Sequence, residues 1–347
     1  MLPELAYLHE KPTSKGLLRV QQSDFKVFEQ LPFVPCGEGE HLFIHIRKTG
    51  ANTAFVAREL AKYFKVKEQL VSYAGLKDRF AVTEQWFGVH VPGKQVFDLS
   101  DLAIEGVEVL SYTRHNKKLR IGALTGNRFE LILRKVTDLK AFSERWNKVI
   151  VQGVPNYFGE QRFGIDGGNI ASALALFSGT KVKDKKKRGM YLSAARSYIF
   201  NDIINERIKQ NIFSKVQLGD VVMLSGTQSV FRVEDIDDTI NQRLIDKDID
   251  ITAAMWGAGE LMTEGAPKEF EQQVAEQHAD FMQGLPRFGL KQERRRIRIV
   301  INEPDFEVLA DDDLPSVKIS FSLSAGSYAT TVLRELIDYQ DCTQRVG

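Results

Sequence analysis

Between Gly16 and Lys48, apolar and polar positions alternate in two runs, GLLRVQQSDFKVFEQ and HLFIHIRK, separated by the Pro and Gly punctuation of LPFVPCGEGE. Alternation of period two between such breaks predicts short strands. The pattern then switches. In AFVARELAKYFKV, Phe55, Val56, Leu60 and Tyr63 fall on one helical face, which predicts a helix over about 53–65 with Thr53 as its N-cap. QLVSYAG and AVTEQWFGVHV read as strands again. Lys77-Asp78-Arg79 therefore occupies a connection, where a rigid scaffold can hold functional side chains. VEVLSYTR, KLRIGAL and RFELILRKV predict three further strands, divided by the basic HNKK turn and by Thr125-Gly126-Asn127. A mixed sheet with helices on one face accommodates these elements.

After the amphipathic helix DLKAFSERWNKVIVQG the texture changes. GVPNYFGEQRFGIDGGN is dense in Gly, aromatic and polar residues, and LSAARSYIFNDIINERIKQ (192–210) predicts a strong helix burying Ala195, Ile199, Ile203 and Ile204. Short strands such as DVVMLS and VFRVED then alternate with helical runs such as PKEFEQQVAEQHADFM. KVKDKKKRG is the one strongly biased segment and is expected to be a mobile loop. The last stretch returns to the alternation of the first strands, with VKISFSL as a strand, Ser324 to Ser327 as a turn, and YATTVLRELI as a helix. Such a βα unit would complete the first sheet, which makes 155–302 an insertion between 1–154 and 303–347.

Length and composition change this picture little. At 347 residues and 43% hydrophobic content the chain can fill two ordinary cores. No run approaches the roughly 18 to 20 apolar residues of a spanning helix, and MLPELAYLHEKPTSKG lacks the pattern of a signal peptide. Cys36 and Cys342 stand far apart and in no metal-ligand spacing, which points to a reducing, cytoplasmic setting.

Charge is more informative in its distribution than in its sum of +1. Basic residues cluster at 114–120, 181–188 and 291–298, and acids at 233–250 and at Asp311 to Asp313. Such blocks are ordinarily solvated faces, but basic clusters converging on one cleft would attract a polyanion.

The familiar nucleotide-binding, metalloprotease, redox and nucleophile-elbow motifs are missing. His41 and His45 share a strand face about 13 Å apart, too far for one metal ion. Asp78 is the carboxylate of interest. Flanked by Lys77 and Arg79, it is either a surface ion pair or a charged group suited to act as nucleophile or electrostatic stabiliser at an electron-poor carbon. Asn127-Arg128-Phe129 and the run Tyr157 to Phe163 interleave rings with amides and guanidinium groups. These are groups that stack on unpaired bases, and equally groups that pack a core.

Five segments in order, SYAGLKDRFAVTEQW, TGNRFELILR, GVPNYFGEQRFG, LSAARSYIFN and SAGSYATTVLREL, resemble the tRNA pseudouridine synthase D (TruD) family over nearly the whole chain. The resemblance implies an α+β fold, with a pseudouridine-synthase-like, mixed and mostly antiparallel sheet and flanking helices, interrupted by an inserted α/β domain. It implies conversion of uridine to pseudouridine in tRNA, at position 13 in bacterial members, with no cofactor or metal. Asp78 falls on the family's catalytic aspartate and Lys77 on the lysine before it. Asn127 and Phe129 match residues lining the uridine pocket, Phe129 stacking on the base. Tyr328 lies where Phe is common, and Arg19 holds a basic position associated with Lys, from which it would pair with Asp78 or hold a phosphate. Glu29 and Arg79 are expected to support the site. The expected partner is tRNA, bound by a monomer with no membrane and no obligatory protein partner. An RNA chaperone without chemistry and a nucleoside hydrolase using Asp78 are the rival readings.

Overall fold

The structure is a computed structural model, and it describes residues 4–93, 95–310 and 314–345. Strands β1 (Lys15–Leu18), β2 (Phe25–Gln30) and β3 (His41–Thr49) lead to α1 (Thr53–Tyr63), β4 (Val71–Tyr73), β5 (Val82–His90), β6 (Val107–His115), β7 (Gly126–Arg134) and α2 (Leu139–Gln152). Next come β8 (Val154–Pro155), α3 (Gly168–Phe177), α4 (Lys185–Lys209), β9 (Val221–Leu224), β10 (Val230–Arg232), α5 (Asp238–Ile245) and β11 (Ile249–Met255). They are followed by α6 (Gly265–Glu276), α7 (Ala279–Arg287), β12 (Glu293–Arg296) and β13 (Arg298–Ile299). The last elements are β14 (Asn302–Leu309), β15 (Ser316–Ser324), α8 (Ala329–Leu336) and β16 (Asp338–Asp341).

The chain forms two compact units, one of residues 12–150, 301–329 and 336–347, the other of 1–11, 151–300 and 330–335. In the first, ten strands make one sheet with the order β14-β15-β7-β2-β5-β3-β6; β1 pairs with β7 and β16, and β4 with β5. Only β1·β16 and β2·β5 are parallel among these pairs, so the sheet is mixed and mostly antiparallel, as expected.

Directly paired residues share a face of a sheet. Ile46 pairs with Gln85, Thr83 with Val27, Val27 with Phe129 and Phe129 with Phe321, which defines one continuous inner face. At one end of it α1 buries Val56, Ala57, Leu60 and Ala61 against Leu42, Ile44, Ile46 and Phe87. At the other, α2 sets Trp146 beside Phe321, ring centroids 6.2 Å apart. Both helices thus cover the same face, and the strip between them carries polar side chains: Lys48, Thr83, Gln85 and Glu29 are all buried.

The second unit has an antiparallel sheet, β10-β9-β11-β12. Helix α4 packs Ala195, Ile199, Phe200 and Ile203 into the core formed with Val222, Ile249 and Ile251.

Several expectations need correction. Asn52, not Thr53, caps α1, its side chain accepting from Ala54 N at 2.8 Å. This releases the Thr53 hydroxyl for another use. KLRIGAL is a loop, because Ala123 N turns back to Arg120 O (3.0 Å) and Gly122 takes a φ of 82°. The KVKDKKKRG segment is half helix: Asp184 accepts from Lys186 N and Lys187 N, capping α4 so that Lys185 to Arg188 form its first turn. PKEFEQQVAEQHADFM is two helices, α6 and α7, broken at His278 (φ −119°, ψ 50°). The cluster Asp311 to Asp313 lies outside the described residues. No helix among the described residues is long and apolar enough to cross a membrane.

Candidate active site

The turn from Gly75 to Asp78 connects β4 to β5 over the polar strip, and side chains from three elements hold its backbone. Gln85 of β5 donates through Nε2 to Gly75 O (3.2 Å). Thr53, at the start of α1, accepts from Lys77 N (3.1 Å) and donates to Gln85 Oε1 (2.9 Å). Lys48 of β3 donates through Nζ to Asp78 O and to Ala51 O, 2.8 Å each. A turn secured at Gly75, Lys77 and Asp78 by buried partners has little freedom.

The Asp78 carboxylate projects from this turn with 29% of its side chain exposed. Its Oδ1 accepts from Phe80 N at 3.0 Å, a local Asx turn that fixes the rotamer. Its Oδ2 meets Arg19 Nη2 at 2.9 Å. Arg19 follows β1 in the left-handed region, with φ 58°, and its guanidinium lies 4.3 Å from the Phe25 ring centroid. The other end of the guanidinium, Nη1, meets Asp341 Oδ2 at 3.0 Å. Asp341 in turn accepts from Thr343 N (3.1 Å) and Oγ1 (2.8 Å). One planar fork therefore spans two carboxylates, and Asp341 is brought to it by the parallel pairing of β1 with β16, which sets Leu18 opposite Asp341.

The two cations adjacent to Asp78 in sequence are engaged elsewhere. Lys77 Nζ reaches Glu29 Oε2 at 2.9 Å and Asn127 Oδ1 at 2.8 Å. The Glu29 side chain is fully buried, and its Oε1 accepts from Trp86 N at 3.1 Å. Arg79 donates to Gly50 O at 3.1 Å. Of the cations proposed to hold Asp78, Arg19 is the one that touches its carboxylate.

Asn127 and Phe129 stand two apart on β7, on the inner face. Phe129 is only 6% exposed and packs edge-on to Phe25 (6.4 Å) and tilted to Phe321 (5.6 Å). Gly126 permits the close approach of β15 here, since a Cβ would run into the Leu323 carbonyl. The turn after β15 is tied back by Ala325 N to Thr125 O at 2.9 Å, and Tyr328 follows it at 38% exposure.

A family model described as tRNA pseudouridine synthase D (TruD) matches residues 3–172 and 177–336. The chain belongs to the TruD family. A tRNA pseudouridine synthase D from Colwellia psychrerythraea is 72% identical over 352 residues, covering 100% of this chain and 96% of its own length. Another from Aeromonas salmonicida is 46% identical over 341 residues, with 98% and 96% covered. A chain from Methanosarcina mazei solved as a TruD structure has a TM-score of 0.75 at 22% identity, covering 99% of this chain and 97% of that one. It shares the fold.

Within this TruD fold, sequence reasoning missed Lys48, Thr53, Gln85 and Asp341. A signal for Lys48 existed: it continues the inward series Leu42, Ile44, Ile46, where a lysine is out of place without a buried partner. Burial lowers its pKa to about 8, with Asp78 opposing the shift and Lys77 adding to it. The folded state then binds fewer protons than the unfolded chain between about pH 8 and 10.5. The penalty of the charged Lys48 is present in full below that window and is relieved as pH rises through it. Relative to Lys48→Met, native stability is expected to gain roughly 3 kcal/mol across the window. Parallel pH dependence of the two urea midpoints would contradict this.

Proposed function

We propose that Asp78 is the catalytic carboxylate with which this TruD family member converts uridine to pseudouridine in tRNA, at position 13. The observation that carries the reading is the construction around Asp78: a part-exposed carboxylate held by Arg19 at 2.9 Å, on a turn whose backbone is bonded by Lys48, Thr53 and Gln85. Structural ion pairs seldom need so much support, whereas a reacting group must be held in a fixed geometry.

The target uridine leaves its stack, at a cost of a few kcal/mol, and enters the site. Asn127 meets the base, with the exposed Tyr328 as the stacking ring, whereas Phe129, 6% exposed between Phe25 and Phe321, backs the pocket from the core and does not present a face for the expected stacking. Two roles are open to ionised Asp78: attack on the sugar, or removal of a proton from it, as the N-glycosidic bond breaks. The freed uracil turns so that a C1′–C5 bond forms in place of C1′–N1, as Asp78 is released from C1′ or returns its proton to the sugar; the C5 proton then leaves to solvent and N1 takes one up. Nothing is gained or lost overall, as an isomerisation requires. Exclusion of water keeps the intermediate from ending as free base. Glu29 and Lys77 support the pocket from beneath as a buried pair that also fixes the Asn127 amide. We take 1–154 with 303–347 as the catalytic domain and 155–302 as the family-specific insertion, although the compact unit that holds most of the insertion also takes in 1–11 and 330–335, from the two ends of the expected catalytic segments. Free Cys36 and Cys342 suit a reducing cytoplasm.

The test is product identity. A tRNA transcript carrying C5-tritiated uridine is expected to release label and, after nuclease digestion, to yield the C5-glycoside at position 13. Free uracil as the product would favour a hydrolase, and unaltered uridine a non-catalytic RNA binder.

A further inference from the structure

Away from Asp78, a cavity of about 660 Å³ opens between Phe33 and the loop 115–123, lined by Phe33, His115, Asn116, Lys117, Lys118, Arg120 and Ala123. Its wall is aromatic. Phe33 and His115 stack with centroids 4.8 Å apart and planes 8° from parallel. His115 Nδ1 accepts from Cys36 N at 3.3 Å, which leaves the ring proton on Nε2. Burial, with Lys117 close by, lowers the pKa of His115 and keeps the ring uncharged. Beneath the wall, Leu119 is buried with Phe43 and Ala74 in one small cluster.

Its rim is cationic. No carboxylate lines the cavity, and among the described residues no acid is ion-paired with Lys117, Lys118 or Arg120. Lys118 Nζ reaches only Gln69 O, at 3.4 Å. Unneutralised cations over a stacked aromatic wall match the two faces of a nucleotide, phosphate and base. A solvated surface cluster would present the charge without a wall to stack on.

The loop is also joined to the segments that carry the site. Gly122 N donates to Ala74 O at 2.7 Å, one residue before the Gly75 to Asp78 turn, and Thr125 N donates to Gln30 O at 2.9 Å, two residues before Asn127. The His115 ring shares the sheet face of His41 and Phe43, opposite to that of Ile46, so a tRNA that meets both the Asp78 turn and this wall passes around the edge of the sheet between them.

We propose that this cavity is a second RNA subsite, taking a nucleotide of the same tRNA outside the target uridine. The base lies against the Phe33–His115 stack and the phosphates on Lys117 and Arg120. The inference rests on the tRNA-modifying reading above and goes beyond it in assigning where the rest of the substrate is held.

The test is the affinity of the full chain for an unmodified tRNA transcript, followed by anisotropy as NaCl is varied. The variant K117A/R120A is expected to bind about tenfold more weakly near physiological salt, with the log–log salt slope smaller by about 1.5, since each lost phosphate contact removes roughly 0.7 to 0.9. Phe33→Leu keeps the apolar bulk and removes the ring. It is expected to weaken binding about fivefold with the slope unchanged. The control K140A/K148A removes the same charge from the exposed side of α2 and should leave the slope as it is. Native affinity and slope in K117A/R120A would overturn the subsite and free the patch for another polyanion, such as an acidic protein segment. That failure is distinct from failure of the functional reading, in which native protein leaves the transcript unmodified.

Discussion

An Arg19→Leu variant is expected to turn over tRNA about 10²- to 10³-fold more slowly than the native protein, with a much smaller change in KM. The reason is geometric as well as electrostatic. The Arg19 fork is the link between Asp78, at 2.9 Å, and Asp341, at 3.0 Å. Without it, two carboxylates that shared one cation lose their common counter-charge, and Asp78, still held by Phe80 N, is less readily kept in its ionised form. Asp341 is a positioning residue in this scheme, acting on the reaction only through Arg19. Arg19→Lys should fall between the native protein and Arg19→Leu, because an ammonium is a point charge that cannot engage both carboxylates with the planarity of a guanidinium. Steady-state kinetics of the three proteins check the order. A loss confined to KM would assign Arg19 to binding tRNA phosphate instead.

Much of the fold is legible in local pattern. The strict alternation of VKISFSL and HLFIHIRK and the helical faces of α1 and α4 follow from side chains that must be buried on one side. The connection bearing Asp78 is visible for the same reason, since the strands on both sides of it are plain. What fails to show is what depends on distant partners. Arg19 and Asp341 are separated by 322 positions, and only the parallel β1·β16 pairing brings them together. Gln85 and Thr53 look like ordinary polar residues of a strand and a helix start. Their role emerges once the register places Gln85 on the inner face, opposite Ile46. Charge order in sequence is also misleading at this turn. Lys77 and Arg79 adjoin Asp78, yet their side chains leave the turn toward Glu29 and Gly50, because the inner face of β2 presents a fully buried carboxylate that requires a cation. The loop at 118–124 reads as a strand because Leu119, Ile121 and Ala123 recur at every second position, while Gly122 bends the backbone.

Asp78→Asn is expected to lose at least about 10⁴-fold in rate, the loss typical of removing a reacting group rather than an orienting one. The amide is nearly isosteric. Its oxygen can still accept from Phe80 N, which holds the native side chain at 3.0 Å, and Lys48, Thr53 and Gln85 bond to backbone atoms that the substitution leaves in place. The fold and the affinity for tRNA should therefore persist while the negative charge needed for attack or proton removal is gone. The decisive experiment is single turnover with enzyme in excess over a transcript tritiated at uridine C5. Asp78→Asn is expected to bind the transcript with native affinity and release no tritium above background; release at the native rate would contradict the assignment of Asp78 as the reaction centre.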